Sequence, residues 1–222
     1  MQKKLIDCRA INSTRESLSD LCTEILNCKA CDLSYSRKKA GCGTGVSGAR
    51  IMVIGEAPGS KEDAVGLPFV GRSGALLDKA LRAAGLQRSD LYVTNSVRCK
   101  PPVGKSPKIE HIRSCSNFLK REIAAVSPAI IVPMGNSALI AVAGILGFST
   151  GKITEMSGRM LKFRDYLIIP QFHPAAILRN PKRMAEFQET FILISDASKD
   201  IADHEIPWLT KKYRIEEIED QS

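Results

Sequence analysis

No apolar run in the 222-residue sequence reaches the roughly 18 residues that a membrane-spanning helix needs, so nothing in it is read as crossing a bilayer. The opening residues, MQKKLIDCRAINSTRESLSD, lack the apolar stretch of a secretory signal. An intracellular, cytoplasmic protein is therefore expected. There is no internal repeat and no low-complexity segment. The glycine-rich stretches match neither a Walker loop nor a dinucleotide fingerprint, which removes the commonest nucleotide-binding readings.

What is present describes a globular protein. The hydrophobic fraction is 44%, enough for a real core, and the length suits one domain with tails. The formal net charge of +8 favours a polyanionic partner, although composition alone does not name it.

Four short apolar runs read as buried parallel strands: RIMVIG at 50–55, LYVTN at 91–95, AIIVPMG at 129–135 and YLIIPQF at 166–172. Helical spacing fills the intervals. SGALLDKALRAAGL puts Leu76, Leu77, Ala80, Leu81 and Ala84 on one face. SPKIEHIRSCSNFLKREIAAVSP is bracketed by Ser-Pro pairs, and GNSALIAVAGILG is apolar almost all round, as a deeply buried helix is. Strands alternating with helices predict right-handed crossovers and a parallel sheet covered on both faces. The chain divides into an N-terminal extension (1–20), one domain (21–200) and a charged tail (201–222). The polar stretches before about residue 15 and after about residue 200 are expected to be loosely attached, with a short helix near TKKYRIEEIED.

Seven cysteines without an export signal point to metal more than to disulfides. Cys28 and Cys31 form C-x2-C, and Cys99 and Cys115 follow from a strand end and a helix. Four thiolates suit either tetrahedral zinc or a four-iron four-sulfur cluster. One tight pair and one wide pair lean towards iron–sulfur. Cys8, Cys22 and Cys42 are left over; Cys22 shares helical spacing with Leu18, Ile25 and Leu26 and reads as core, and Cys42, in a glycine-rich loop, reads as an exposed thiol.

Ligands of open parallel sheets bind beyond the carboxyl ends of the strands. Three groups of residues fall there: Glu56, Ala57, Pro58 and Gly59 after the first strand, Asn95 at the end of the second, and His173 after the fourth. The loop GEAPGSKEDAVGLPFVGRSG also carries Glu62 and holds Phe69 between prolines and glycines. Singly, each has an ordinary structural reading. On one rim, beside a metal-like cysteine set, they favour a site.

GEAPGSKEDAVGLPFVGRSGALLDKAL, YVTNSVRCKPP and FHPAAILRNP, together with Cys28, Cys31, Cys99 and Cys115, resemble the family 4 uracil-DNA glycosylases, the iron–sulfur branch of the uracil-DNA glycosylase superfamily. The resemblance runs from about Cys28 to about Thr190. It implies a three-layer α/β/α sandwich around a four-stranded parallel sheet, a structural 4Fe–4S cluster on Cys28, Cys31, Cys99 and Cys115, and removal of uracil from single- or double-stranded DNA to leave an abasic site for base excision repair. It also implies roles. Phe69 stacks on the flipped base, and Asn95 reads its edge, provided further hydrogen bonds fix the amide. The backbone of Glu56, Ala57, Pro58 and Gly59 lines the O2 side, and Glu62 lies near C5. His173 donates to O2 as charge builds, and Glu56 steadies the sugar cation or orients water.

Two departures stand out. Ala57 occupies the position where the best-known branch has an aspartate. Val103-Gly104-Lys105 stands where many family members have Gly-Asn. Relatives that trap uracil covalently use a histidine between the third and fourth cysteines; here His111 lies in the helix of Cys115, out of register. The alternatives are therefore a uracil-DNA binding protein, or a nucleic-acid-binding protein with a four-cysteine site, neither with turnover. A monomer is expected, and EIPWLTKKYRIEEIEDQS carries no motif that supports a sliding-clamp contact. RNPKR at 179–183 is the candidate phosphate contact.

Overall fold

The computed structural model describes residues 16–203 and 212–220. The expected loose N-terminal segment, residues 1–15, lies outside the described residues, as does Cys8.

In chain order the elements are α1 (Leu18–Asn27), α2 (Leu33–Ser36), β1 (Ile51–Gly55), α3 (Ser60–Val65), α4 (Arg72–Ala83), β2 (Leu91–Asn95), α5 (Ile109–Val126), β3 (Ile130–Pro133), α6 (Asn136–Leu146), α7 (Ile153–Met156), β4 (Met160–Phe163), β5 (Tyr166–Ile168), α8 (Pro174–Arg179), α9 (Met184–Asp203) and β6 (Ile215–Glu217). One sheet runs β2-β1-β3-β5-β4-β6. Its first four members are parallel and coincide with the four apolar runs. Every residue of β1, β2 and β3 is buried, as strands covered on both faces must be.

The strand order fixes the layers. The step from β1 to β2 goes one way across the sheet, and the step from β2 to β3 goes the other. Crossovers of one hand therefore place α4 and α5 on opposite faces. The packing agrees: α4 lies against α8 and α9, while α5 lies against α1 and α6. The face predicted for α4 is the buried one, with Leu76, Leu77, Ala80, Leu81 and Ala84 all inside. α6 is buried along most of its length, but Ile140 reaches solvent.

Two features correct the expectation of four strands and a C-terminal helix. β4 pairs antiparallel with β5, and β6 adds parallel to β4, so the sheet is mixed and has six strands among the described residues. The stretch expected to be helical near TKKYRIEEIED instead contributes β6 at the sheet edge. Neither strand advertises itself. β4 has four residues, and β6 reads Ile-Glu-Glu, a charged edge held by Arg159 to Glu216 and by Lys162 to Glu217 at 2.9 Å. Charges on an edge strand discourage further pairing.

Candidate active site

β1 leaves the core at Gly55, which pairs with Asn95 at the end of β2. A side chain at Gly55 is impossible without rearrangement: a Cβ there would stand 2.3 Å from Asn95 Oδ1 and 2.7 Å from the Phe69 ring. The glycine lets the strand's backbone approach both groups. Asn95 is only 4% exposed. Among the described residues its amide makes no hydrogen bond, so the bonds expected to fix its orientation do not come from them; the amide oxygen sits where a Gly55 side chain would be.

The loop beyond β1 is closed by Glu62, which is buried at the start of α3. Its Oε1 accepts the Gly71 N–H at 2.8 Å, and its Oε2 sits 2.7 Å from where a Cβ of Gly59 would be. One carboxylate thus staples the loop after β1 to the loop before α4. Phe69 lies between them with φ 54°, a left-handed conformation that is costly for a bulky residue. Phe69 is 6% exposed, and its ring stacks beside the imidazole of His173, with centroids 5.6 Å apart and an interplanar angle of 27°.

His173 arrives from β5. The ladder continues past that strand, with Gln171 N–H donating to Pro133 O at 3.0 Å. The fully buried Gln171 side chain accepts from Phe172 N–H and Ser157 Oγ, which locks the approach. His173 then caps α8: its Nδ1 accepts the Ala175 N–H at 3.2 Å. That bond makes Nδ1 the unprotonated nitrogen and leaves the proton on Nε2. Burial, with a smaller contribution from the Arg179 charge, pushes the imidazole pKa down to about 4. The ring is a neutral Nε2–H donor across the neutral pH range.

These residues line a cavity of about 160 Å³: Ala57, Gly59, Glu62, Phe69, Ser73, Asn95, His173 and Ala175. Six of the eight residues proposed for substrate are therefore brought together. Glu56 and Pro58 are not on the lining. Pro58 packs against Gly41. The Glu56 carboxylate accepts Ser137 Oγ at 2.9 Å from the start of α6, and its backbone oxygen accepts Ser96 Oγ at 2.7 Å. Glu56 thus bridges the ends of β1 and β3, the point where successive connections leave on opposite faces. Ser73, Ala175 and Ser137 went unnoticed in the sequence because small residues carry no pattern. The Val103–Lys105 turn is exposed and does not reach the cavity.

A family model described as "Uracil DNA glycosylase superfamily" matches residues 42–194. Among curated proteins, the type-4 uracil-DNA glycosylase of Thermotoga maritima is 39% identical over 175 residues, covering 75% of this chain and 86% of that protein. The type-4 enzyme of Archaeoglobus fulgidus is 34% identical over 185 residues, with coverage of 82% and 93%. That of Sulfurisphaera tokodaii is 36% identical over 181 residues, with coverage of 79% and 82%. The chain belongs to the type-4 uracil-DNA glycosylase family.

In this type-4 chain the four predicted cysteine ligands come from the end of α1, the exit of β2 and α5. Cys28 and Cys31 are half-buried, Cys99 and Cys115 are buried, and all four are free thiols. They feel one another: Cys28 and Cys31 raise the Cys99 pKa, and Cys99 and Cys31 raise that of Cys115. Burial is the main cause in both cases and pushes Cys115 up to about 11. Donors surround the sulfurs. Arg37 Nη1 donates to Cys99 Sγ at 3.0 Å, and the Ala30 N–H donates to Cys28 Sγ at 3.4 Å. Among the described residues no group of three or more His, Cys, Asp or Glu side chains stands in ready-made metal geometry. The donor set nevertheless suits a four-thiolate cluster: four free thiols close enough to shift one another's titration, with guanidinium and amide donors facing the sulfurs.

Two other cysteines correct the sequence reading. Cys42 is not an exposed thiol; it is 8% exposed and disulfide-bonded to Cys22, with the Cα atoms 5.4 Å apart. His111 is equally committed. Its Nδ1 accepts the Lys108 N–H and its Nε2 lies 2.8 Å from Asp32 Oδ1, beside the cysteines and outside the cavity lining.

Proposed function

We propose that the protein is a monofunctional uracil-DNA glycosylase acting in base excision repair, and that the cavity between β1, β2 and β5 is where uracil is held and cleaved. The observation that carries the reading is the His173 tautomer. A neutral imidazole with its proton on Nε2 shares one small cavity with an aromatic face and a buried amide.

The base must leave the duplex to be reached. Phe69 offers it a stacking surface, a contact of about 1–3 kcal/mol that ignores base identity. Asn95 supplies identity, its amide nitrogen donating to O4 and its oxygen accepting N3–H. The N1–C1′ bond breaks with its electron pair passing to the base. His173 Nε2–H strengthens its bond to O2 as that charge develops. Glu56, held by Ser137 outside the lining, acts on the sugar cation only through its charge, and water adds to C1′, releasing its second proton to solvent. Glu62 has a second role in this chain, since it holds the two loops together as well as flanking the C5 edge.

Cys28, Cys31, Cys99 and Cys115 are proposed to hold a 4Fe–4S cluster, which when bound cross-links α1, the β2 exit and α5. The phosphate contact is assigned to Arg179 with Lys61 and Arg72, which line one groove beside the cavity. Arg183, the other candidate, lies over the Phe172 ring at 4.4 Å and near Glu186 at 3.4 Å.

Incubation with uracil-containing duplexes, opposite guanine and opposite adenine, followed by alkali, tests the reading. Strand cleavage at uracil is the expected result. A stable crosslink, or binding without cleavage, would replace the enzyme with a binding protein. The engagement of His111 by Lys108 and Asp32 stands against the crosslinking alternative.

A further inference from the structure

Phe69 carries more constraint than a stacking surface needs. It is an aromatic residue with φ 54°, a conformation that side chains of its size avoid. It persists only if its surroundings over-determine it. Two groups from outside its loop do so. Gly74, in α4, presses on the Phe69 carbonyl so closely that a Cβ there would lie 1.7 Å from Phe69 O. From the other direction Arg88, in the turn that precedes β2, donates from Nη2 to the same carbonyl oxygen at 3.1 Å. The Arg88 guanidinium is itself aimed: its Nε donates to Asp78 Oδ1 at 2.9 Å, and Asp78 stands on α4, one turn beyond Gly74. The Arg88 carbon Cζ lies 6.0 Å from the Phe69 ring centroid.

We infer that Arg88, fixed by Asp78, is a positioning residue for Phe69: it pins the carbonyl of the strained residue so that the ring is presented to a flipped base in one orientation. The inference rests on the proposed stacking role of Phe69. Surface position alone would make the Arg88–Asp78 pair unimportant, since both side chains are about one-third exposed and exposed pairs contribute little to stability. Its importance comes from geometry. The planar fork of arginine reaches the carboxylate and the carbonyl together, whereas an ammonium presents no such fixed fork. The pair therefore acts on the aromatic wall of the cavity without touching its contents.

The competing role for an exposed arginine on this flank is a phosphate contact, and the two make opposite predictions. Single-turnover cleavage of a uracil-containing duplex, and binding to it at several salt concentrations, are measured for Arg88→Ala, Arg88→Lys, Phe69→Ala and the double variant Phe69→Ala/Arg88→Ala. Positioning predicts a fall in cleavage efficiency on the order of 10-fold for Arg88→Ala, because contacting residues couple strongly. Arg88→Lys recovers little of it, the salt slope stays unchanged, and the loss vanishes in the Phe69→Ala background. A phosphate contact predicts rescue by lysine, a salt slope lower by about one, and a loss that adds to that of Phe69→Ala. Thermal melting of each variant identifies any that is unfolded, and Asp78→Ala, which leaves Arg88 in place but unaimed, is expected to reproduce part of the loss. If Phe69→Ala itself cleaves at the wild-type rate, the stacking role and this inference fall together. If Phe69→Ala is impaired and Arg88→Ala adds to it, only the inference falls.

Discussion

The two regions of the molecule that carry its chemistry both adjoin the exit of β2, where Asn95 and Cys99 are four residues apart, yet they are built in opposite ways. At the carboxyl ends of the strands, the groups facing the cavity are left with something to give. Asn95 has an unengaged amide among the described residues, His173 has a free Nε2–H, and Phe69 has a ring held from behind. Around the four free cysteines, several neighbouring side chains are tied to other elements. Arg37 joins the Leu26 and Cys28 carbonyls to Cys99, His111 joins α5 to Asp32, and Cys22 is bonded to Cys42. Next to Cys99 lies a buried network. Arg98 and Glu122 form an ion pair at 2.7 Å with both side chains 1% exposed, Tyr92 OH donates to the same carboxylate, and Arg98 also donates to Thr94. A site that binds must keep unspent hydrogen bonds, whereas one that only holds the fold together spends them all. The cavity should therefore tolerate substitution structurally and fail chemically, and the cysteine region should do the reverse.

The largest effect is expected in the cysteine region. Cys99→Ala should abolish the visible absorption of the purified protein and leave it poorly soluble, as judged by spectra and yield. A colourless, soluble and fully active Cys99→Ala protein would remove the cluster from the account. Next comes the network. Glu122→Ala strands the buried Arg98 charge and should lower stability by about 3–5 kcal/mol in denaturant melts. A variant as stable as the parent would mean that the pair is solvated.

A subtler effect separates the regions by pH. His173 titrates near 6.5 when unfolded and near 4 when folded, so between those values the unfolded chain binds a proton that the folded one refuses. This contribution to stability is therefore complete above about pH 6.5 and is lost as the pH falls towards 4. Melting temperatures of wild type and His173→Asn should diverge across that window, with the wild type losing more. Parallel curves would contradict the half-buried, neutral imidazole. The smallest effect is Arg179→Ala, expected to lower the salt slope of DNA binding by about one while Arg183→Ala leaves it unchanged.

The sequence showed these two regions unequally. The parallel strands were legible because burial on both faces leaves unbroken apolar runs, and strand alternation places Gly55, Asn95 and His173 on one rim. The face of α4 was legible for the same reason. What pattern cannot carry was missed. β4 is only four residues long, and β6 is short and charged at the sheet edge. Ser73, Ala175 and Ser137 are small residues brought in by the fold. Arg88 sits in a turn and acts through a backbone oxygen that no motif specifies. The Cys22–Cys42 bond joins a helix to a loop twenty residues away, and the lack of an export signal pointed to metal more than to disulfides. Glu56 and Pro58 were placed on the cavity because they adjoin β1, yet the chain turns there and aims the carboxylate at α6.

The central claim is that the cavity spends one specific hydrogen bond, from His173 Nε2–H, only as charge appears on the departing base. His173→Ala should keep near-wild-type affinity for uracil-containing DNA and lower the single-turnover cleavage rate by roughly 100- to 1000-fold, the effect of deleting one donor that acts in the transition state. Asn95→Ala, measured beside it, should lose capture as well as rate, because its contacts form before the bond breaks. Wild-type cleavage by His173→Ala, or a loss confined to affinity, would contradict the account and reduce His173 to the cap of α8.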